Sequence, residues 1–139
     1  MFGRKAKQGA DWLADVAFFE GFSADELSRV SGLAEKVDFE KGAVIIEQGR
    51  MGDRCYVIVH GTVGVYYGTE HVATLDEGSM VGEMALVDHR PRNATVVAEA
   101  DTEMAAFDIK SFRTLLDEMP QASEQVLSLL NDRMRRSSS

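Results

Sequence analysis

Cysteine is nearly absent from this chain, with Cys55 alone among 139 residues. An intrachain disulfide is excluded, and a lone thiol predicts a reducing, cytoplasmic setting. Cys55 lies in an apolar run, which predicts packing rather than reactivity. No apolar stretch approaches the roughly 18 residues of a membrane-spanning helix, so no span is expected. The first ten residues are basic but lack the apolar segment of a secretion signal. Positive charge is in deficit, 15 basic residues against 23 acidic ones, for a formal net charge of −8. That balance disfavours non-specific nucleic-acid binding, which depends on neutralising phosphates. It leaves room for one local phosphate site, because a nearby guanidinium outweighs a distant net charge. His60, His71 and His89 lack metal-ligand spacing and are expected at the surface. No nucleophile elbow or metal-hydrolase pattern is present, so neither catalysis nor a cofactor or metal is expected.

What the chain does have is a series of short β-rich runs. They fall at residues 37–39, 44–47, 56–59, 63–67, 71–75, 95–99 and 103–107. Turn signals separate them at 41–42, 49–53, 60–61, 68–69 and 77–78. Short strands so spaced predict a sandwich or barrel, and an eight-stranded β jelly roll fits. Helices are expected on both sides of the roll. Asp11 is placed to cap one that carries Trp12, Leu13, Val16 and Phe19 on one side. Ser23 opens a second, with Glu26 completing a capping box and Leu27, Val30 and Leu33 forming its apolar stripe. After the roll, residues 110–118 place Phe112, Leu115 and Leu116 on one side. Pro120 suits the first turn of a final helix running towards Arg136, with Val126, Leu127, Leu130 and Met134 as its stripe. Arg133, Arg135 and Arg136 complement the dipole of that helix. The expected organisation is a loose basic arm at 1–9, one domain at 10–136 and a frayed tail at 137–139.

One stretch stands out for its chemistry. Gly82-Glu83-Met84-Ala85-Leu86 precedes Pro91-Arg92-Asn93-Ala94-Thr95, and eight residues join Glu83 to Arg92. Glu83 and the small apolar residues after it predict one helical turn, which Pro91 prevents from continuing. A helix N-terminus offers free N–H groups and a positive dipole end, which suit an anion. The planar donor fork of Arg92 suits phosphate oxygens. Glu83 accepts hydrogen bonds only, so it suits a sugar hydroxyl. Together these residues predict a sugar-phosphate site. The competing readings are a surface salt bridge from Arg92 to Asp88 or Glu83, and a Glu83 that merely favours a helix dipole.

Gly-Glu-x-Ala-Leu followed by Pro-Arg-x-Ala-Thr resembles the phosphate-binding cassette of cyclic nucleotide-binding domains. That family includes regulatory subunits of cAMP-dependent protein kinase, cyclic-nucleotide-gated channels and catabolite activator proteins. The run Glu47-Gln48-Gly49-x-x-Gly52-Asp53-x-x-Tyr56-x-Ile58-x-x-Gly61 resembles the first half of the family's roll, and its glycines are expected to supply φ > 0. Phe18-Phe19-x-Gly-Phe22-Ser23 resembles the opening segment, so the likeness runs from Phe18 to about Arg136.

The resemblance implies a role for each site residue. Arg92 would pair with the exocyclic phosphate oxygens, Glu83 would accept from the ribose 2′-hydroxyl, and Gly82 would let the backbone approach the sugar. Amides near Ala85 and Ala94 would complete the cage, and Met84 would touch the ligand through its backbone. Asn93 departs from the Thr or Ser of many cGMP-preferring members and the Ala of many cAMP-preferring ones, and its amide would bond either base or the backbone. Val81 replaces the usual Phe. The final helix would form a lid, with Leu130, Arg133 or Met134 facing the base. The expected ligand is cAMP, with cGMP second, and the expected partner is an effector protein rather than nucleic acid. With no DNA-reading segment after the last helix in this sequence, a DNA-binding role is not expected. A vestigial pocket in a protein-interaction module, and a fragment of a catabolite-activator-type transcription regulator, are the alternatives.

Overall fold

The computed structural model describes residues 11–13, 16, 19–82, 91–121 and 124. Among them the strands are β1 (Glu35–Phe39), β2 (Val44–Ile46), β3 (Arg54–His60), β4 (Val63–Tyr67), β5 (Glu70–Leu75), β6 (Met80–Val81), β7 (Thr95–Ala98) and β8 (Thr102–Asp108). They form two antiparallel sheets of four strands, ordered β1-β8-β3-β6 and β2-β7-β4-β5. Chain neighbours such as β1 and β2 lie in different sheets, as a jelly roll requires. The two residues of β6 were not foreseen as a strand; they pair with Tyr56 and Val57 of β3.

The apolar run in β3 shows how the layers arise. A strand turns successive side chains to opposite faces. Cys55, Val57 and Val59 enter one apolar cluster with Phe107 of β8, while Tyr56 and Ile58 enter another with Val63, Val96 and Met104. The first cluster lies between a sheet and the helices, and the second lies between the two sheets. A strand covered on both faces has no need of polar alternation, which explains the unbroken run. Cys55 is fully buried, as its apolar surroundings predict.

Two helices close the outer side of that first cluster. Helix α1 (Ala24–Leu33) begins with the expected capping box: Ser23 Oγ accepts from the Glu26 N–H at 3.1 Å, and Glu26 Oε1 accepts from the Ser23 N–H at 2.8 Å. Helix α2 (Ile109–Glu118) buries Phe112 and Leu115. Its N-cap, Asp108, was not identified from the sequence; Asp108 Oδ1 accepts from the Ser111 N–H at 2.7 Å. The expected first helix appears as a 3-10 turn, Asp11–Leu13, with residues 14, 15, 17 and 18 outside those described. Its apolar positions Leu13, Val16 and Phe19 are nonetheless buried in the cluster. Pro120, Gln121 and Glu124 are helical, and the rest of the expected final helix lies outside the described residues. Arg29 of α1 grips Glu118 of α2 through two bonds of 2.7 and 2.9 Å. Gln121 Nε2 donates to Glu26 Oε2 at 2.8 Å.

Candidate functional site

Arg92 is fixed through its backbone before its side chain. The Gly49 N–H donates to the Arg92 carbonyl, and the Arg92 N–H donates to the Arg50 carbonyl, both at 2.8 Å. The Gln48 N–H donates to Thr95 Oγ1 at 3.0 Å. These bonds lay the loop of residues 47–53 alongside the segment that leads into β7.

The guanidinium then reaches across to the other sheet. Nη1 donates to the Gly82 carbonyl at 3.2 Å and Nη2 to the Arg54 carbonyl at 2.5 Å. Carbonyl oxygens orient the fork without cancelling its charge. Among the described residues Arg92 forms no ion pair, whereas Arg54 pairs with Glu35 at 2.8 Å and Arg50 with Glu47 at 3.4 Å. Arg54 also lies 5.6 Å from the centre of the Tyr56 ring. The Asp53 carbonyl, one residue before that of Arg54, accepts from the Ile109 N–H at 2.8 Å and so ties the loop to the start of α2.

Two glycines border the guanidinium for different reasons. Gly82 has φ of +80°, a conformation that favours glycine, and a Cβ there would lie 3.1 Å from Arg92 Nη1 and 3.0 Å from the Arg54 carbonyl oxygen. Gly52 does not have positive φ, which corrects the expectation for this loop. Gly49 at +88° and Gly61 at +109° do meet it. At Gly52 a Cβ would overlap the Arg92 guanidinium itself.

A pocket of about 320 Å³ opens beside Arg92, within the size range of small-ligand sites. One wall is Val44 to Ile46 of β2, another is the loop through Arg50, Met51, Gly52 and Asp53, and a third is Arg54 and Tyr56 of β3. Val44 and Met51 are 55% and 64% exposed, which gives a charged pocket an apolar rim. Such a mixture suits a flat apolar group attached to an anion.

The structure thus brings together Gly82 and Arg92 of the expected site. Ala94 is buried close to Arg92 in sequence, and Asn93 is exposed. Val81 is buried between the sheets. Glu83, Met84 and Ala85 lie outside the described residues, as do Leu130, Arg133 and Met134, and so do Asp88 and His89. The Arg54 carbonyl, the bare Gly52 and the walls formed by Val44 and Met51 were not foreseen. Only the Gly52-Asp53 pair carries a signal in the sequence, that of a turn.

A second polar cluster lies on the β2-β7-β4-β5 sheet. Glu99 is 3.3 Å from both the Tyr66 hydroxyl and His71 Nε2, and Thr74 Oγ1 is 3.1 Å from that same nitrogen. Burial raises the Tyr66 hydroxyl above its ordinary pKa, and the Glu99 charge raises it further. His60 and His71 are exposed, as expected. Among the described residues no group of three His, Cys, Asp or Glu is placed to hold a metal ion.

Comparison with known proteins gives the geometry its family. The chain is 28% identical over 129 residues to the CRP-like cAMP-activated global transcriptional regulator of Mycobacterium tuberculosis, covering 89% of this chain and 58% of that protein. It is 39% identical over 107 residues to a cAMP-dependent protein kinase regulatory subunit of Candida albicans, covering 77% of this chain and 23% of the subunit. The chain therefore spans well under two thirds of either relative. Among solved structures, the catabolite activator protein of Thermus thermophilus superposes with a TM-score of 0.75 at 27% identity, over 87% of this chain and 59% of that one. The profile of the family described as "Cyclic nucleotide-binding domain" matches residues 36–119, more than half of the sequence, and the chain belongs to that family.

Proposed function

We propose that this chain is a cyclic-nucleotide receptor domain that takes cAMP in preference to cGMP and signals through its C-terminal helical segment. The observation that carries this reading is the Arg92 guanidinium. It borders a pocket of ligand size, oriented by two carbonyls and paired with no carboxylate among the described residues. An anion is the natural occupant of such a place, and a cyclic phosphate presents two exocyclic oxygens to a planar fork.

In this reading Arg92 holds the phosphate and Glu83 accepts from the ribose 2′-hydroxyl. Gly82 keeps the backbone near the sugar, amides near Ala85 and Ala94 close the cage, and Met84 contributes its backbone. Asn93 is the polar group nearest Arg92 in sequence and bonds the ligand or the cage. The names of the bacterial regulator and the fungal subunit both specify cAMP, which supports the order of preference. Both names also denote regulation, which supports a non-catalytic role. We assign the receptor domain to residues 10–136, with Leu130, Arg133 and Met134 as the lid and an effector protein as its target.

Thermal unfolding with each nucleotide tests the proposal. Ligand at 100 times its dissociation constant adds about 2.7 kcal/mol, a rise of several degrees. Stabilisation by cAMP at lower concentration than by cGMP is expected. The reverse order overturns the preference, and no stabilisation by either overturns the receptor reading.

A further inference from the structure

We propose that Gly52 is a positioning residue, whose bare α-carbon is the surface against which the Arg92 guanidinium lies when it is aimed at a phosphate. The inference rests on the reading of the pocket as a cyclic-nucleotide site. Three observations carry it. Gly52 lacks the positive φ that would demand glycine for conformational reasons, unlike Gly49 and Gly82. A Cβ at this position would overlap Nε, Nη2 and Cζ of Arg92. The guanidinium is also constrained on its other sides. Nη1 and Nη2 are held by the carbonyls of Gly82 and Arg54, and both backbone groups of Arg92 are bonded to residues 49 and 50.

The energetic consequence separates this role from a structural one. The obstacle to a methyl group at Gly52 is the tip of a flexible side chain, so the fold yields cheaply. What it gives up is the bond to the Arg54 carbonyl and the direction of the charge. Gly61 is the opposite case, since a Cβ there meets the carbonyl oxygen of Asp101 and the Cα of Thr102 in a strained backbone. Gly52 therefore controls binding, and Gly61 controls folding.

Calorimetric titration with cAMP of the wild type, Gly52→Ala, Arg92→Ala and the double variant tests this. Gly52→Ala is expected to bind about 10- to 100-fold more weakly, the cost of disturbing one or two charge-assisted bonds, while its ligand-free melting temperature stays near that of the wild type. In the Arg92→Ala background the same change should add no further loss, because the group it displaces is gone. Wild-type affinity in Gly52→Ala, or losses that multiply in the double variant, would overturn the inference while a weakened Arg92→Ala kept the pocket reading intact. No cAMP binding by the wild type would sink both. Should Gly52→Ala fail to fold, the Arg92 Nη–H resonances of the ligand-free wild type decide. Separate Nη1 and Nη2 signals, protected from exchange, are expected, and one rapidly exchanging, averaged signal refutes the seat.

Discussion

Arg92 gains its meaning from what surrounds it rather than from its own identity. Two carbonyls direct it, two glycines leave it space, and its backbone is bridged to a loop some forty residues earlier. Charge-assisted bonds contribute about 1.5–3 kcal/mol each. Arg92→Ala should therefore weaken cAMP binding on the order of 100-fold in a calorimetric titration, and undiminished affinity would remove the phosphate from this position. A different residue-scale prediction concerns Thr102, which is buried and whose single O–H has two carbonyl acceptors within reach, Ala100 at 2.8 Å and Thr62 at 3.2 Å. Thr102→Val keeps the shape but takes the hydroxyl donor from the Ala100 carbonyl, while the Thr62 carbonyl keeps its 2.9 Å bond from the Glu99 N–H, at a cost of about 1–3 kcal/mol in chemical unfolding. Arg92 and Gly82 stand out in the sequence through their spacing in Gly-Glu-x-Ala-Leu and Pro-Arg-x-Ala-Thr, and the fold brings them into contact. Gly52 was legible as a glycine but not in its purpose, because its reason is a side chain forty positions away that only the fold delivers.

At the scale of elements, local signals read well and tertiary ones did not. The Ser23–Glu26 capping box is a four-residue device with its own bonding logic, and it forms as written. β6 has two residues, too few for any period to show, and exists because the exposed edge of β3 accepts it. The cap of α2 was hidden because Asp108 also ends β8, so strand and helix signals meet on one residue. Asp108→Ala should cost about 1 kcal/mol, measured by urea unfolding, as loss of an N-cap usually does. Phe112, fully buried and edge-on to Phe107 with ring centres 5.1 Å apart, anchors α2 to the sheet. Phe112→Ala should cost about 3–5 kcal/mol, and a loss under 1 kcal/mol would show that α2 is not anchored by this ring.

For the whole molecule, strand-rich runs announced two packed sheets, but nothing in the sequence said which strands would be neighbours. Pairing β8 between β1 and β3 is a decision of long-range packing, made where Met104 and Ala106 face one core and Ala105 and Phe107 the other. The contact between the N- and C-terminal helices was equally hidden, since Arg29 and Glu118 are 89 positions apart. It also sets an acid response. The Arg29 guanidinium holds Glu118 below the ordinary carboxylate range, the Ser23 N–H does the same for Glu26, and the Ser111 N–H does so for Asp108. Carboxyls depressed by folding stabilise the native state above their unfolded pKa values, near 4, and that contribution disappears as pH falls through the depressed values. The melting temperature should hold level from neutrality to about pH 5 and then decline as acid is added. In Glu118→Gln the decline should be shallower, and an unchanged slope would show that the Arg29 contact carries none of it.

The segment at residues 53 and 54 joins the pocket to α2. Its consecutive oxygens serve two masters, the leading amide of α2 and the tip of Arg92. Because the two residues are adjacent, a displacement of either reaches both bonds. A pull on Arg92 would thereby load the segment that holds the root of α2.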